Sequence, residues 1–136
     1  MHDTSAQQDA PPVVGVIDPD PVARNGLRSL LHGLGIDVST FDSAESYLLA
    51  ADGRNLACLI VDLLLPGMSG LELLRRLRRA GNDVPVVLLA DESDVATAVA
   101  AIREGATDFI EKPYVDLAVL KQVQKLIRRP PSALHA

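Results

Sequence analysis

Apolar positions along this chain follow two rhythms in turn. Short β-branched runs at Val13 to Ile17, Ile36 to Thr40, Leu56 to Val61, Val84 to Leu89 and Thr107 to Ile110 read as strands. Between them, apolar residues recur every three or four positions. Leu27, Leu30, Leu31 and Leu34 predict an amphipathic helix that stops before Gly35, and a shorter helix is expected over Ala44 to Ala50. Ser69 and Glu72 form a capping-box pattern ahead of Leu73, Leu74 and Leu77, with Gly81 placed to end that helix. Val95, Ala98, Val99 and Ile102, closed by Gly105, make a fourth stripe, and Leu117, Leu120, Val123 and Ile127 make a fifth.

Near-continuous apolar strands such as Cys58 to Val61 and Val86 to Leu89 suit a sheet covered on both faces. Strict alternation of strand and helix then implies parallel strands joined by right-handed crossovers: an α/β fold, a doubly wound sheet of five strands with five helices. In such sheets ligands bind outside the carboxyl ends of the strands. That directs attention to Asp18, Asp62, Ala90 and the residues just after Ile110.

Composition narrows the function without naming it. The 136 residues suit one domain, and 48% hydrophobic content is enough for a continuous core. Residues 1–12 are polar or small and end in Pro11-Pro12, so a disordered N-terminal arm is expected there, with the folded domain over 13–128 and a C-terminal tail or linker start over 129–136. Eighteen acidic residues against 13 basic ones give a formal charge of −5, which opposes attraction to nucleic-acid backbones and anionic lipids. Neither direct nucleic-acid binding nor membrane contact is expected. The N-terminus has no secretory pattern and the lone Cys58 cannot make an internal disulfide, so a cytoplasmic location is the expectation. His2, His32 and His135 lie too far apart for ligand spacing.

Asp18 follows the first strand, Asp62 the third, and Lys112 lies just past the fifth, so the inferred topology gathers two carboxylates and an ammonium at one edge. Carboxylate oxygens bind hard cations, and an ammonium pairs with a phosphoryl oxygen as a point charge. An aspartate beside Mg²⁺ can act as a nucleophile toward phosphorus, because the metal offsets the repulsion between negative charges. Each acid taken alone also reads as an ordinary solubilising loop residue.

The segment VDLLLPGMSGLELLRRL, from Val61, and GATDFIEKP, from Gly105, carry a resemblance. From about Val13 to Ile127 the chain resembles the CheY-like receiver domains of two-component response regulators, which implies strand order 2-1-3-4-5. By that resemblance Asp62 matches the phosphoacceptor, Lys112 the lysine that contacts the phosphoryl group, and Asp18 the first of an acidic metal-binding pair. Asp20 and the Leu64 backbone carbonyl are further candidates for the metal. Phe109 matches the aromatic switch position, and Lys112-Pro113 a step where a cis peptide is usual. The resemblance also implies a histidine kinase or phosphotransfer protein as partner. A homodimer or output contact would use the surface formed by the Val95–Ile102 helix, the Phe109 strand and the last helix.

Three positions depart from that pattern. Pro19 stands where the family has its second acid, so Mg²⁺ binding is predicted to be weakened. Ala90 replaces the switch Thr or Ser, and losing one hydrogen bond to a charged group forfeits roughly 1.5 to 3 kcal/mol of preference for the phosphorylated state. Asp91 adds a negative charge at the next position. Two readings therefore stay open: a phosphoacceptor with a retuned site, and a phosphorylation-independent pseudo-receiver acting as a protein-interaction module. A third, a haloacid-dehalogenase-type phosphatase, is suggested by Asp18, Asp20 and Val22 in a D-x-D-x-V pattern, but no acidic pair after Lys112 completes its metal site. Arg75, Arg76, Arg78 and Arg79 read as a solvated face or a docking patch, Cys58 as inert core, and Tyr114 as an exposed aromatic.

Overall fold

The computed structural model describes residues 12–50 and 55–128. The arm and tail expected over 1–12 and 129–136 lie outside them, apart from Pro12. The strands are β1 (Val13–Ile17), β2 (Asp37–Phe41), β3 (Cys58–Asp62), β4 (Val86–Ala90) and β5 (Asp108–Glu111). The helices are α1 (Pro21–His32), α2 (Ala44–Ala50), α3 (Gly70–Arg79), α4 (Val95–Arg103) and α5 (Asp116–Arg128), with a short 3₁₀ turn, Glu92–Asp94, leading into α4. All strand pairs are parallel, in the order β2-β1-β3-β4-β5. This is the predicted doubly wound, CheY-like arrangement of five strands and five helices.

Alternation along the strands splits the core in two. Val14, Val16, Cys58, Ile60, Val87 and Leu89 point to one face and pack against Leu27 and Leu31 of α1 and Val119, Val123 and Leu126 of α5. Ile17, Leu59, Val61 and Leu88 point to the other, where they meet Tyr47 of α2, Leu73, Leu74 and Leu77 of α3 and Ala98 and Ala101 of α4.

Four strands begin one or two residues later than the apolar runs predict. Pro85 has no N–H for the ladder, so β4 starts at Val86 rather than Val84. At the other end pairing continues through polar residues: Asp62 lies opposite Leu89, and Ala90 opposite Glu111. The first, third and fourth helices leave the sheet through one device. In α3, Asn82 N donates to Leu77 O and Gly81 N to Arg78 O, a Schellman turn needing the positive φ of 78° that Gly81 adopts without strain; the same pair of bonds recurs at Gly35 and Gly105.

Two helical stripes are phased differently from prediction. In α5 the buried residues are Val119, Val123 and Leu126, while Leu117 is 58% exposed. In α4 only Ala98 and Ala101 are buried, leaving Val99 and Ile102 47% and 39% exposed. Small residues seat α4 on the sheet, so its larger apolar side chains face outward. The arginine cluster of α3 also divides. Arg75 pairs with Glu104 at 2.6 Å, and Arg78 donates to the carbonyls of Asn82, Val84 and Gly105, tying α3 to the turn after α4.

Candidate functional site

Ladder hydrogen bonds run one residue past the strands and fix the backbone of the site. Asp18 N donates to Phe41 O, Leu63 N to Leu89 O, and Lys112 N to Ala90 O. Asp18, Asp62, Ala90 and Lys112 thereby stand together at the carboxyl edge. Asp18 and Asp62 are the only buried charged residues among those described, at 3% and 6% exposure. Lys112 Nζ donates to Asp62 Oδ2 at 2.7 Å. The other oxygen of Asp62 faces Leu64 N at 3.3 Å. The Lys112-Pro113 peptide is cis.

The electrostatics follow from burial of unlike numbers of charges. Burial pushes the Asp18 carboxyl above its ordinary range; the Asp20 N–H opposes this, Asp62 adds to it, and Lys112 offsets part of it. Burial pulls the Lys112 ammonium down, but the hydrogen bond and charge of Asp62, with Asp18 and Asp91, outweigh it and leave Lys112 above its ordinary value. Two buried carboxylates thus share one ammonium.

The loop after β1 is held at several points. Asp20 N donates to Asp18 Oδ1 at 2.9 Å, Asp20 Oδ1 caps α1 by accepting from Val22 N at 2.9 Å, and Arg24 Nη1 donates to Asp18 O at 2.7 Å. Pro19 is exposed between them. Asp20 is therefore engaged by the helix N-terminus. Ala90 is buried at the end of β4, within the α2–α4 side of the core. Asp91 is exposed, makes no capping hydrogen bond, and still contributes to the field at Lys112. Phe109 is half-buried against the α2–α4 side of the core.

Among the described residues no cluster of three or more His, Cys, Asp or Glu side chains is placed to hold a metal. Asp18 and Asp62 are the buried carboxylates that could hold one, and the second oxygen of Asp18 accepts no hydrogen bond among the described residues. Mg²⁺ is commonly held by one or two carboxylates with water and phosphate oxygens completing its octahedron, so two hard-oxygen donors fit it.

Two neighbours escaped the sequence reading. Arg24 carries no motif signal; only the fold brings its guanidinium to the Asp18 carbonyl. Tyr114, expected to be exposed, is half-buried against the α1–α5 side of the core, and burial together with the Asp18 charge raises its phenol. Cys58 is fully buried, which pushes its thiol up to about 12, in keeping with inert core.

Residues 14–124 match the family model of the response regulator receiver domain. The chain belongs to this family. The transcriptional regulatory protein FixJ of Bradyrhizobium diazoefficiens is 36% identical over 114 residues, covering 84% of this receiver and 56% of FixJ. The response regulator protein TodT of Pseudomonas putida is 32% identical over 119 residues, 88% of this chain and 52% of TodT. The crystal structure of full-length FixJ from B. japonicum aligns with a TM-score of 0.85 at 35% identity, over 90% of this chain and 61% of FixJ. The receiver thus spans about half the length of the curated relatives it matches.

Receivers are signalling domains of two-component systems: histidine kinases phosphorylate response regulators, which act on output domains, and receiver domains generally bind Mg²⁺ for that phosphorylation. The family match covers the Asp18-to-Val22 segment, which removes the phosphatase reading of it. FixJ is a transcriptional regulatory protein, so the charge argument against nucleic-acid contact bears on these 136 residues alone. No described helix is long and apolar enough to cross a membrane.

Proposed function

We propose that this receiver accepts a phosphoryl group on Asp62 from a histidine kinase or phosphotransfer protein, at a site retuned toward weak activation. The observation that carries this reading is the 2.7 Å contact between Lys112 Nζ and a buried Asp62 carboxylate. Asp62 attacks phosphorus through one carboxylate oxygen. An O–P bond forms as the bond from phosphorus to the donor's imidazole nitrogen breaks, and the imidazole leaves with the electron pair. Lys112 keeps its proton throughout and exchanges part of its contact with Asp62 for a phosphoryl oxygen. Mg²⁺, when bound, supplies positive charge that lets the phosphoryl group approach two carboxylates. Asp18, Asp62 and the Leu64 backbone carbonyl would hold it, while the capping role of Asp20 leaves that side chain a poor substitute for the acid missing at Pro19.

Ala90 offers the phosphoryl group no hydroxyl, and Asp91 adds repulsion, so the phosphorylated state gains less stabilisation than a complete site would give it. These same features support the pseudo-receiver as a second reading, in which the domain works through protein contacts. The outward Val99 and Ile102 of α4 suit an α4-β5-α5 surface for a second copy or an output partner, and a cytoplasmic setting follows from such kinase partners.

Intact-mass measurement after incubation with a small acyl phosphate, with and without Mg²⁺ and beside Asp62→Asn, separates the two. An adduct that needs both Mg²⁺ and Asp62 is the expected result. A folded protein that takes up no phosphoryl group would leave the pseudo-receiver as the account.

A further inference from the structure

The loop that carries the chain from Asp62 to α3 is held at its base by backbone hydrogen bonds: Leu63 N donates to Leu89 O at 2.8 Å and Gly70 N to Leu63 O at 3.0 Å. Its outer turn is held by a side chain from another element. Glu45, in the first turn of α2, accepts a hydrogen bond from Met68 N on Oε2 at 2.8 Å. Gly67 adopts φ +76°, and a Cβ there would stand 2.5 Å from the same oxygen. The carboxylate therefore lies directly against the Pro66–Met68 turn, and the turn is shaped to receive it. Among the described residues, the only other side chain that hydrogen-bonds to residues 64–68 is that of Asp62, at Leu64 N.

We propose that Glu45 is a positioning residue for Asp62, holding the outer turn so that the Leu64 peptide unit faces the Asp62 carboxylate. The proposal rests on the reading of Asp62 as phosphoacceptor. The Leu64 N–H lies 3.3 Å from Asp62 Oδ1, a contact long enough to be lost with a small swing of the loop. Leu64 is itself exposed, so its own side chain gives the loop little anchorage. An ionised acceptor on a backbone N–H is stronger than a neutral one. In keeping with this, the Met68 N–H holds the Glu45 carboxyl below its ordinary range, with a smaller contribution from Arg76. A site with one acid fewer at Pro19 depends more heavily on the peptide groups that remain.

The test compares wild type, Glu45→Ala and Glu45→Gln for the initial rate of Asp62 adduct formation with a small acyl phosphate and Mg²⁺, and for amide exchange at Leu64 and Met68. Glu45→Ala is expected to slow adduct formation on the order of tenfold and to speed Leu64 exchange. Glu45→Gln keeps an acceptor oxygen and is expected to stay within about threefold of wild type. An adduct rate unchanged in Glu45→Ala, or equally slow in Glu45→Gln, overturns the proposal. If the wild type itself takes up no phosphoryl group, the phosphoacceptor reading fails on its own. Leu64 exchange then decides the placement of the loop: faster exchange in Glu45→Ala supports it, and unchanged exchange overturns it.

Discussion

Replacing Lys112 by methionine keeps the length of the side chain and removes the cation that two buried carboxylates share. At the observed 2.7 Å, unit charges in an effective dielectric of about 20 attract by roughly 6 kcal/mol. Desolvation of both groups takes back most of this, leaving the roughly 1.5 to 3 kcal/mol typical of hydrogen bonds to charged groups. Lys112 retains 26% side-chain exposure, and solvent screening places the expected loss in the lower part of that range, about 1.5 to 2 kcal/mol. Urea unfolding of wild type, Lys112→Met, Asp62→Asn and the double variant isolates the pair. Lys112→Met should cost about 1.5 kcal/mol less in the Asp62→Asn background than in wild type. Lys112 binds its proton more tightly folded than unfolded, so the coupling is complete below its ordinary value of 10.5 and is lost as pH rises through the higher folded value. Equal costs of Lys112→Met in the two backgrounds would refute the shared-cation account.

Three further outcomes follow from the same geometry. Asp18→Asn should stabilise the protein at neutral pH by about 1 kcal/mol, because a buried carboxylate facing Asp62 is replaced by a neutral isostere. The folded Asp18 carboxyl is raised, so this gain should be complete above the raised folded value and fade as pH falls through it toward the ordinary 3.8; thermal unfolding across that range checks the sign. Gly70→Ala should cost about 3 kcal/mol, since its Cβ would stand 2.6 Å from the Asp62 carbonyl, which is backbone and cannot turn away. Gly15→Ala should cost less, because its clash at 2.5 Å is with a terminal methyl of Leu59, and chemical denaturation of the two variants ranks them. Ala90→Thr supplies the missing hydroxyl and should lengthen the lifetime of an Asp62 adduct about tenfold, measured by decay of the intact-mass shift.

The wider architecture was legible in the chain because it depends on periodicity. Alternating strand and helix rhythms, turn glycines at Gly35, Gly81 and Gly105, and the Ser69 cap together specify a parallel, doubly wound sheet before any contact is known. The edge that gathers Asp18, Asp62, Ala90 and Lys112 follows from that topology. Strand limits were read less well, because Asp62 and Glu111 extend the ladders through hydrogen bonds that hydrophobicity does not register.

Local sequence could not set the phase of α4 and α5. Which apolar side chains of a helix turn inward depends on how closely the helix approaches the sheet, and alanines bring α4 in while leaving Val99 and Ile102 outside. The same holds for Arg24, Arg78, Tyr114 and Glu45. Each meets its partner across several residues or across elements, at distances governed by packing, so only the tertiary structure decided that an arginine braces the Asp18 carbonyl and that a helix carboxylate holds the turn beyond Asp62. Periodicity is a property of neighbouring residues, whereas a site's second layer is a property of distances between elements, and those are settled only when the chain closes on itself.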